Sequence, residues 1–140
     1  MKPRQRGGWT FPCRVALDRS GTTAIEFALL APILFTLVLG GIEFGRFIWT
    51  QAALDYAVQE GARCGIYNPD NLCSTGSEVQ TFAADAAPQL KFPATIFTVN
   101  SAASCGYQVS ASYPYPYLIQ GLAPVSPTLT ASACFPAAAT

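Results

Sequence analysis

The sequence predicts an α+β protein: a long N-terminal transmembrane helix that continues into a small exported domain, with a short helix and a three-stranded antiparallel sheet. Three observations carry this expectation. Residues 27–42 form an apolar run without a single charge, helical spacing continues to about residue 63, and three later segments are rich in β-branched, aromatic or alternating residues. The 140 residues allow one ordinary domain at most. We divide them into a basic cytoplasmic leader over 1–21, a transmembrane helix over 22–49 and an exported domain over 50–140.

The apolar run holds 16 residues, of which ten are Leu, Ile, Val or Phe. On an insertion scale these contribute roughly −3 to −6 kcal/mol together. Pro32, Gly40 and Gly41 offset part of this, and all three are tolerated in spanning helices. About 20 residues cross a bilayer. The helix therefore has to start near Thr22 or Thr23, with Ser20 or Thr22 as its cap, and reach Trp49. Beyond the membrane, Ala53, Tyr56, Ala57 and Glu60 keep the helical spacing. The expectation is one helix over 22–63, closed by Gly65 in the left-handed conformation.

Charge orients this helix. Residues 1–21 carry Lys2, Arg4, Arg6, Arg14 and Arg19 against Asp18, a balance of +4. Residues 22–140 carry three basic and seven acidic residues, a balance of −4. Basic residues before an apolar run stay on the cytoplasmic side, so the N-terminus faces the cytoplasm and the later residues face outward. The long acidic part has no basic stripe, which argues against nucleic acid.

The cysteines follow the same division. Cys13 lies in the leader, while Cys64, Cys73, Cys105 and Cys134 lie in the exported part. Four thiols in an oxidising compartment read as two disulfides, with three possible pairings. We favour Cys64–Cys73 with Cys105–Cys134, each worth about 3 kcal/mol in the simplest chain-entropy treatment. The alternative is four buried free thiols. A zinc site is disfavoured by the lack of any histidine and of a Cys-x-x-Cys pair.

After a loop over 66–76, Ser77-x-x-Gln80 is a capping-box pattern, and a short helix is expected over 77–90 with Pro88 distorting its end. Strands are expected over 95–99, 107–113 and 128–134. Pro114 and Pro116 end the second of these, and the Pro-Tyr run from Tyr113 to Tyr117 reads as an ordinary strand exit in preference to a binding surface.

The junction Arg19-Ser20-Gly21-Thr22-Thr23-Ala24-Ile25-Glu26-Phe27 precedes the apolar run. A carboxylate at Glu26, one turn inside a membrane helix, is costly unless it has a partner or sits at the interface. The junction resembles the processing site of type IV pilin precursors. That resemblance implies cleavage after Gly21 by a prepilin peptidase, a new amine on Thr22, and pairing of Glu26 with the amine of a neighbouring subunit. Residues 21–28, Pro32, Gly41-Ile42-Glu43-Phe44-Gly45-Arg46 and Glu60-Gly61-Ala62-Arg63 further resemble the TadE-like family, pilin-like proteins of the tight-adherence (Flp) pilus systems. What this implies is a minor pseudopilin in the bacterial inner membrane. Its implied partners are the lipid bilayer, a prepilin peptidase, other pilin-like subunits and inner-membrane assembly proteins. Phe27 stands where the processed members carry tyrosine.

Glu43 and Arg46, three apart, can pair on one helix face, either as an ordinary interfacial pair or as a subunit contact. Phe44, Phe47 and Trp49 beside them suit an interfacial belt. Glu60 and Arg63 have the same spacing and read as a solvated pair. No histidine, clustered acid pair or phosphate-binding glycine loop is present, so no enzyme, cofactor or metal is expected. Two other readings compete: a secreted or membrane-anchored disulfide-bonded binding domain unrelated to pili, and an unprocessed single-span anchor.

Overall fold

The structure, a computed structural model, describes residues 20–68, 71–118 and 126–136. Residues 1–19, with Cys13 and most of the expected leader over 1–21, lie outside the described residues. Two compact units divide the chain between Val38 and Leu39.

Helix α1 (Ser20–Tyr67) has 48 residues. Its first part has almost no side chain covered by the rest of the chain, from Ile25 and Phe27 through Leu37. A helix of this length and apolarity, near the N-terminus, is a candidate single membrane span. Pro32 lies inside it, and the hydroxyl of Thr36 donates to the Pro32 carbonyl at 2.7 Å. Already at Ser20 the backbone is helical, so neither Ser20 nor Thr22 is the expected cap. Adding one more hydrogen-bonded residue to an existing helix is cheap, and Gly21 alone does not stop it.

The other end also runs further than expected. Gly65 is helical and does not close α1, which continues to Tyr67. Asn68 takes over as the left-handed residue, with φ of 38°. Its N–H donates to the Cys64 carbonyl at 2.7 Å, and its side-chain oxygen accepts the Cys73 N–H at 2.9 Å. Asparagine tolerates this conformation because its short side chain bonds locally. Gly65 has another duty. A β-carbon there would collide with the ring of Tyr107, so the glycine lets that ring lie against the helix.

Helix α2 (Gly76–Asp85) begins one residue earlier than expected and ends five earlier. The capping box is Thr75 with Glu78, not Ser77 with Gln80: Thr75 accepts the Glu78 N–H at 3.3 Å, and Glu78 accepts the Thr75 N–H at 2.8 Å. This frame buries Val79 and Ala83. The chain leaves the helix at Ala86, two residues before Pro88. At Gly61 a β-carbon would stand 2.9 Å from that of Ala83, so α1 and α2 touch almost backbone to backbone.

A 3₁₀ turn (Ala94–Ile96) replaces the start of the expected first strand. Strands β1 (Phe97–Ala103), β2 (Gly106–Pro114) and β3 (Thr128–Phe135) form an antiparallel sheet in the order β1-β2-β3. Phe97, Ala111 and Ala131 stand in one row across it, and Val99, Val109 and Ala133 in another. β1 is irregular between Asn100 and Ala103, where the Asn100 side chain accepts the Ala102 N–H. The period of two puts Val109, Ala111, Leu129 and Ala131 on the buried face. They meet Leu54, Ala57, Val58 and Ala62 of α1 and Val79 and Ala83 of α2 in one core. Two helices thus cover the sheet where one was expected. Each edge strand also receives a helix glutamine: Gln80 donates to the Phe97 carbonyl at 2.8 Å, Gln51 to the Thr130 carbonyl at 3.1 Å.

Candidate functional site

Glu43 is the most enclosed charged side chain on α1, with 4% of its surface exposed. A buried carboxylate is tolerated when donors replace its water. Here Nη1 of Arg46, one turn on, donates to Oε2 at 3.0 Å and to Oε1 at 3.3 Å. The Tyr115 hydroxyl donates to Oε1 at 3.1 Å, and the Leu118 N–H reaches the same oxygen at 3.3 Å. Charge-assisted bonds of this kind are the stronger class of hydrogen bond.

Tyr115 is held there from several sides. Its own N–H donates to the Pro127 carbonyl at 2.9 Å, prolonging the approach of β2 and β3. Its ring meets Phe47 edge-on at 5.4 Å and Tyr117 at 5.5 Å, and the Arg46 guanidinium lies 5.8 Å from its centre. Burial raises the pKa of the Tyr115 phenol above its ordinary value, and the bond to Glu43 raises it further. Thr50, also buried, donates to the Arg46 carbonyl at 2.8 Å. The arrangement ties the segment after β2 to α1. It offers no nucleophile with a neighbouring base.

The expected interfacial belt is split. Phe44 and Trp49 are exposed, but Phe47 turns inward onto Tyr115. The Pro-Tyr run is more than a strand exit, because Tyr115 and the Leu118 backbone complete the Glu43 site. The run itself does not mark these contacts, and the one signal is the need of a buried acid at Glu43 for donors. Glu60 and Arg63 form no ion pair among the described residues.

The junction residues Gly21, Thr22 and Glu26 all lie in the first unit, within α1, and none is covered by other parts of the chain. A β-carbon at Gly21 meets no atom within 4 Å. Four of the cysteines form two disulfides, Cys64–Cys73 with Cα atoms 5.8 Å apart and Cys105–Cys134 at 6.2 Å. The first fastens the end of α1 to the loop before α2. The second joins the β1–β2 turn to β3. Among the described residues no group of three or more His, Cys, Asp or Glu is placed to hold a metal.

Gly21, Glu26, the apolar helix, the Glu43–Arg46 pair and Gly61 fall within one continuous stretch. Residues 21–63 match the family model described as TadE-like protein. Over this stretch the chain is similar to the TadE-like family. The TadE-like segment ends inside α1, so α2, the sheet and Tyr115 lie beyond the match. No curated protein and no solved structure matches the chain.

Proposed function

We propose that this chain is a minor pseudopilin that takes part in assembling a tight-adherence (Flp) pilus at the bacterial inner membrane. One observation carries this: the TadE-like match begins at Gly21 and takes in Glu26 and the apolar run of α1. That is the order a pilin-like precursor needs, with a cut, a new amine, an acid one turn on, and a membrane anchor. A prepilin peptidase removes the leader after Gly21. The Thr22 amine and Glu26 then pair between neighbouring subunits, since a carboxylate in a membrane helix persists best with an opposite charge. The N-terminus faces the cytoplasm and residues 50–140 are exported, in keeping with the basic leader and the two disulfides.

The role is structural and not enzymatic. Its partners are the bilayer, the peptidase, other pilin-like subunits and inner-membrane assembly proteins. Glu43 is occupied within the chain, whereas the Arg46 side chain is 39% exposed and keeps donors for a neighbour. Arg46 is therefore the better placed of the two for a subunit contact.

N-terminal sequencing of the membrane-bound protein, co-expressed with a prepilin peptidase, tests the reading. A start at Thr22 supports it, and Gly21→Leu should abolish the cut without disturbing packing, since the position is open. A start beyond residue 41 would indicate a secreted domain, and Met1 an unprocessed anchor.

A further inference from the structure

Tyr56, Glu60, Arg63 and Tyr67 stand at i, i+4, i+7 and i+11 on α1, in one stripe of the helix. Across from them, Phe82 of α2 borders three hollows, of about 290, 260 and 340 Å³. The first is shared with Glu60 and Tyr67, the second with Tyr56 and Asp85, the third with Leu72 and Asp85. Phe82 is only partly covered by the core. Tyr56, Tyr67 and Leu72 are 52%, 71% and 55% exposed, large side chains left open beside it. Adjoining apolar side chains with a polar rim mark a protein contact more often than isolated ones do.

The rim has a sign. Glu60, Glu78 and Asp85 line these hollows against the single cation Arg63. Glu60 and Asp85 have no hydrogen bond or ion pair among the described residues. Both walls are helices whose backbone groups are already bonded, so nothing there invites an added strand. A helix laid in the groove is the recognition mode that fits.

We propose that the groove between α1 and α2 docks an amphipathic helix of a different protein, one carrying Lys or Arg beside its apolar residues. A second copy of this chain is the poorer occupant. Its cations from residue 39 onward are Arg46, Arg63 and Lys91. Arg46, though part-exposed, has its charge offset by Glu43, Arg63 lies in the groove itself, and Lys91 lies outside any helix, so a copy has no helix that offers an unbalanced cation. Two copies would bring acid against acid. The inference rests on the groove alone and does not depend on the pilus reading.

The full chain, in nanodiscs of uncharged phosphatidylcholine, is titrated with two synthetic helical peptides of identical Leu pattern, one with Lys and one with Glu on the polar face. Empty nanodiscs give the background. The Lys peptide is expected to bind at least ~10-fold more tightly than the Glu peptide. Glu60→Lys combined with Asp85→Lys should erase or reverse that preference, and Tyr67→Ser should weaken Lys-peptide binding ~5-fold or more. Both changes lie at the surface, and intact disulfides on a non-reducing gel confirm that each variant folds. Equal affinity for the two peptides, no Lys-peptide binding at millimolar concentration, or a preference unchanged in the double variant overturns the proposal. So does sedimentation as a dimer that Tyr67→Ser dissociates, which would give the groove to a second copy.

Discussion

The hydroxyl of Tyr115 donates to Oε1 of Glu43 at 3.1 Å, joining positions 72 apart in sequence. This bond, with the Leu118 N–H beside it, makes a glutamate near the end of the apolar helix into the anchor of the segment that follows β2. Tyr115→Phe should keep the ring contacts and lose the bond, costing about 1 kcal/mol. Glu43→Ala should cost more, because it strands the Tyr115 hydroxyl and the Leu118 N–H without an acceptor. Limited proteolysis between residues 114 and 127 reads the effect. Equal resistance in wild type and Glu43→Ala would show that the cluster does not hold this segment.

Alanine is the better helix former by about 1 kcal/mol, so Gly61→Ala and Gly65→Ala would stabilise an isolated helix. Here both are expected to destabilise, because the added carbon meets Ala83 in one case and the Tyr107 ring in the other. Ala83→Gly should rescue Gly61→Ala, and the coupling read from a double-mutant cycle by thermal melts should exceed ~0.5 kcal/mol. Additive effects would mean that the helices separate freely.

The two disulfides differ in access. Cys64 and Cys73 are buried at 3% and 4% exposure, whereas Cys105 is exposed and Cys134 half-buried. Stepwise reduction with alkylation and mass mapping should open Cys105–Cys134 first, because thiol exchange needs access to a sulfur. Opening of Cys64–Cys73 first would contradict the burial.

Burial raises the Tyr107 and Tyr115 phenols above their ordinary value of 10.0. Their neutral forms are therefore favoured by the fold. That contribution is complete below pH 10 and is lost as pH rises through the folded-state values. Tyr107 and Tyr115 should ionise late in an ultraviolet titration, together with loss of near-ultraviolet circular dichroism. Loss of the late phase in neither Tyr107→Phe nor Tyr115→Phe would contradict this.

Much of the fold was legible in local pattern. An uncharged run of 16 residues can only be a long buried or membrane helix, and the alternation in 107–113 and 128–134 can only serve a half-buried sheet. What failed were positions where two local rules compete. Gly65 reads as a terminator, yet its missing β-carbon serves Tyr107 and Asn68 ends the helix. Thr75-x-x-Glu78 and Ser77-x-x-Gln80 are overlapping boxes, and burial of Val79 and Ala83 selects the first. β1 was set too short because Asn100-Ser101 is poor strand sequence, and the strand there bends through an irregularity. In the Glu43 site the pair with Arg46 follows from spacing, but Tyr115 and Leu118 do not. Nothing local encodes a contact across the fold, and only the need of a buried acid for donors points toward one.

Glu26 carries the proposed mechanism, and its substitution tests it most directly. The side chain is exposed and lies in the first unit, whereas the buried core residues all belong to the second. Glu26→Ala also removes a membrane desolvation cost, so insertion and both disulfides should be unaffected. Pilus yield and co-purification with pilin-like subunits are measured for wild type, Glu26→Ala and Glu26→Asp, which keeps the charge on a shorter stem. The expected result is normal membrane levels in all three, with assembly lost in Glu26→Ala and partly retained in Glu26→Asp. Wild-type pilus yield from Glu26→Ala would show that the carboxylate is only an interface residue, and that pairing with a neighbouring amine plays no part in this chain.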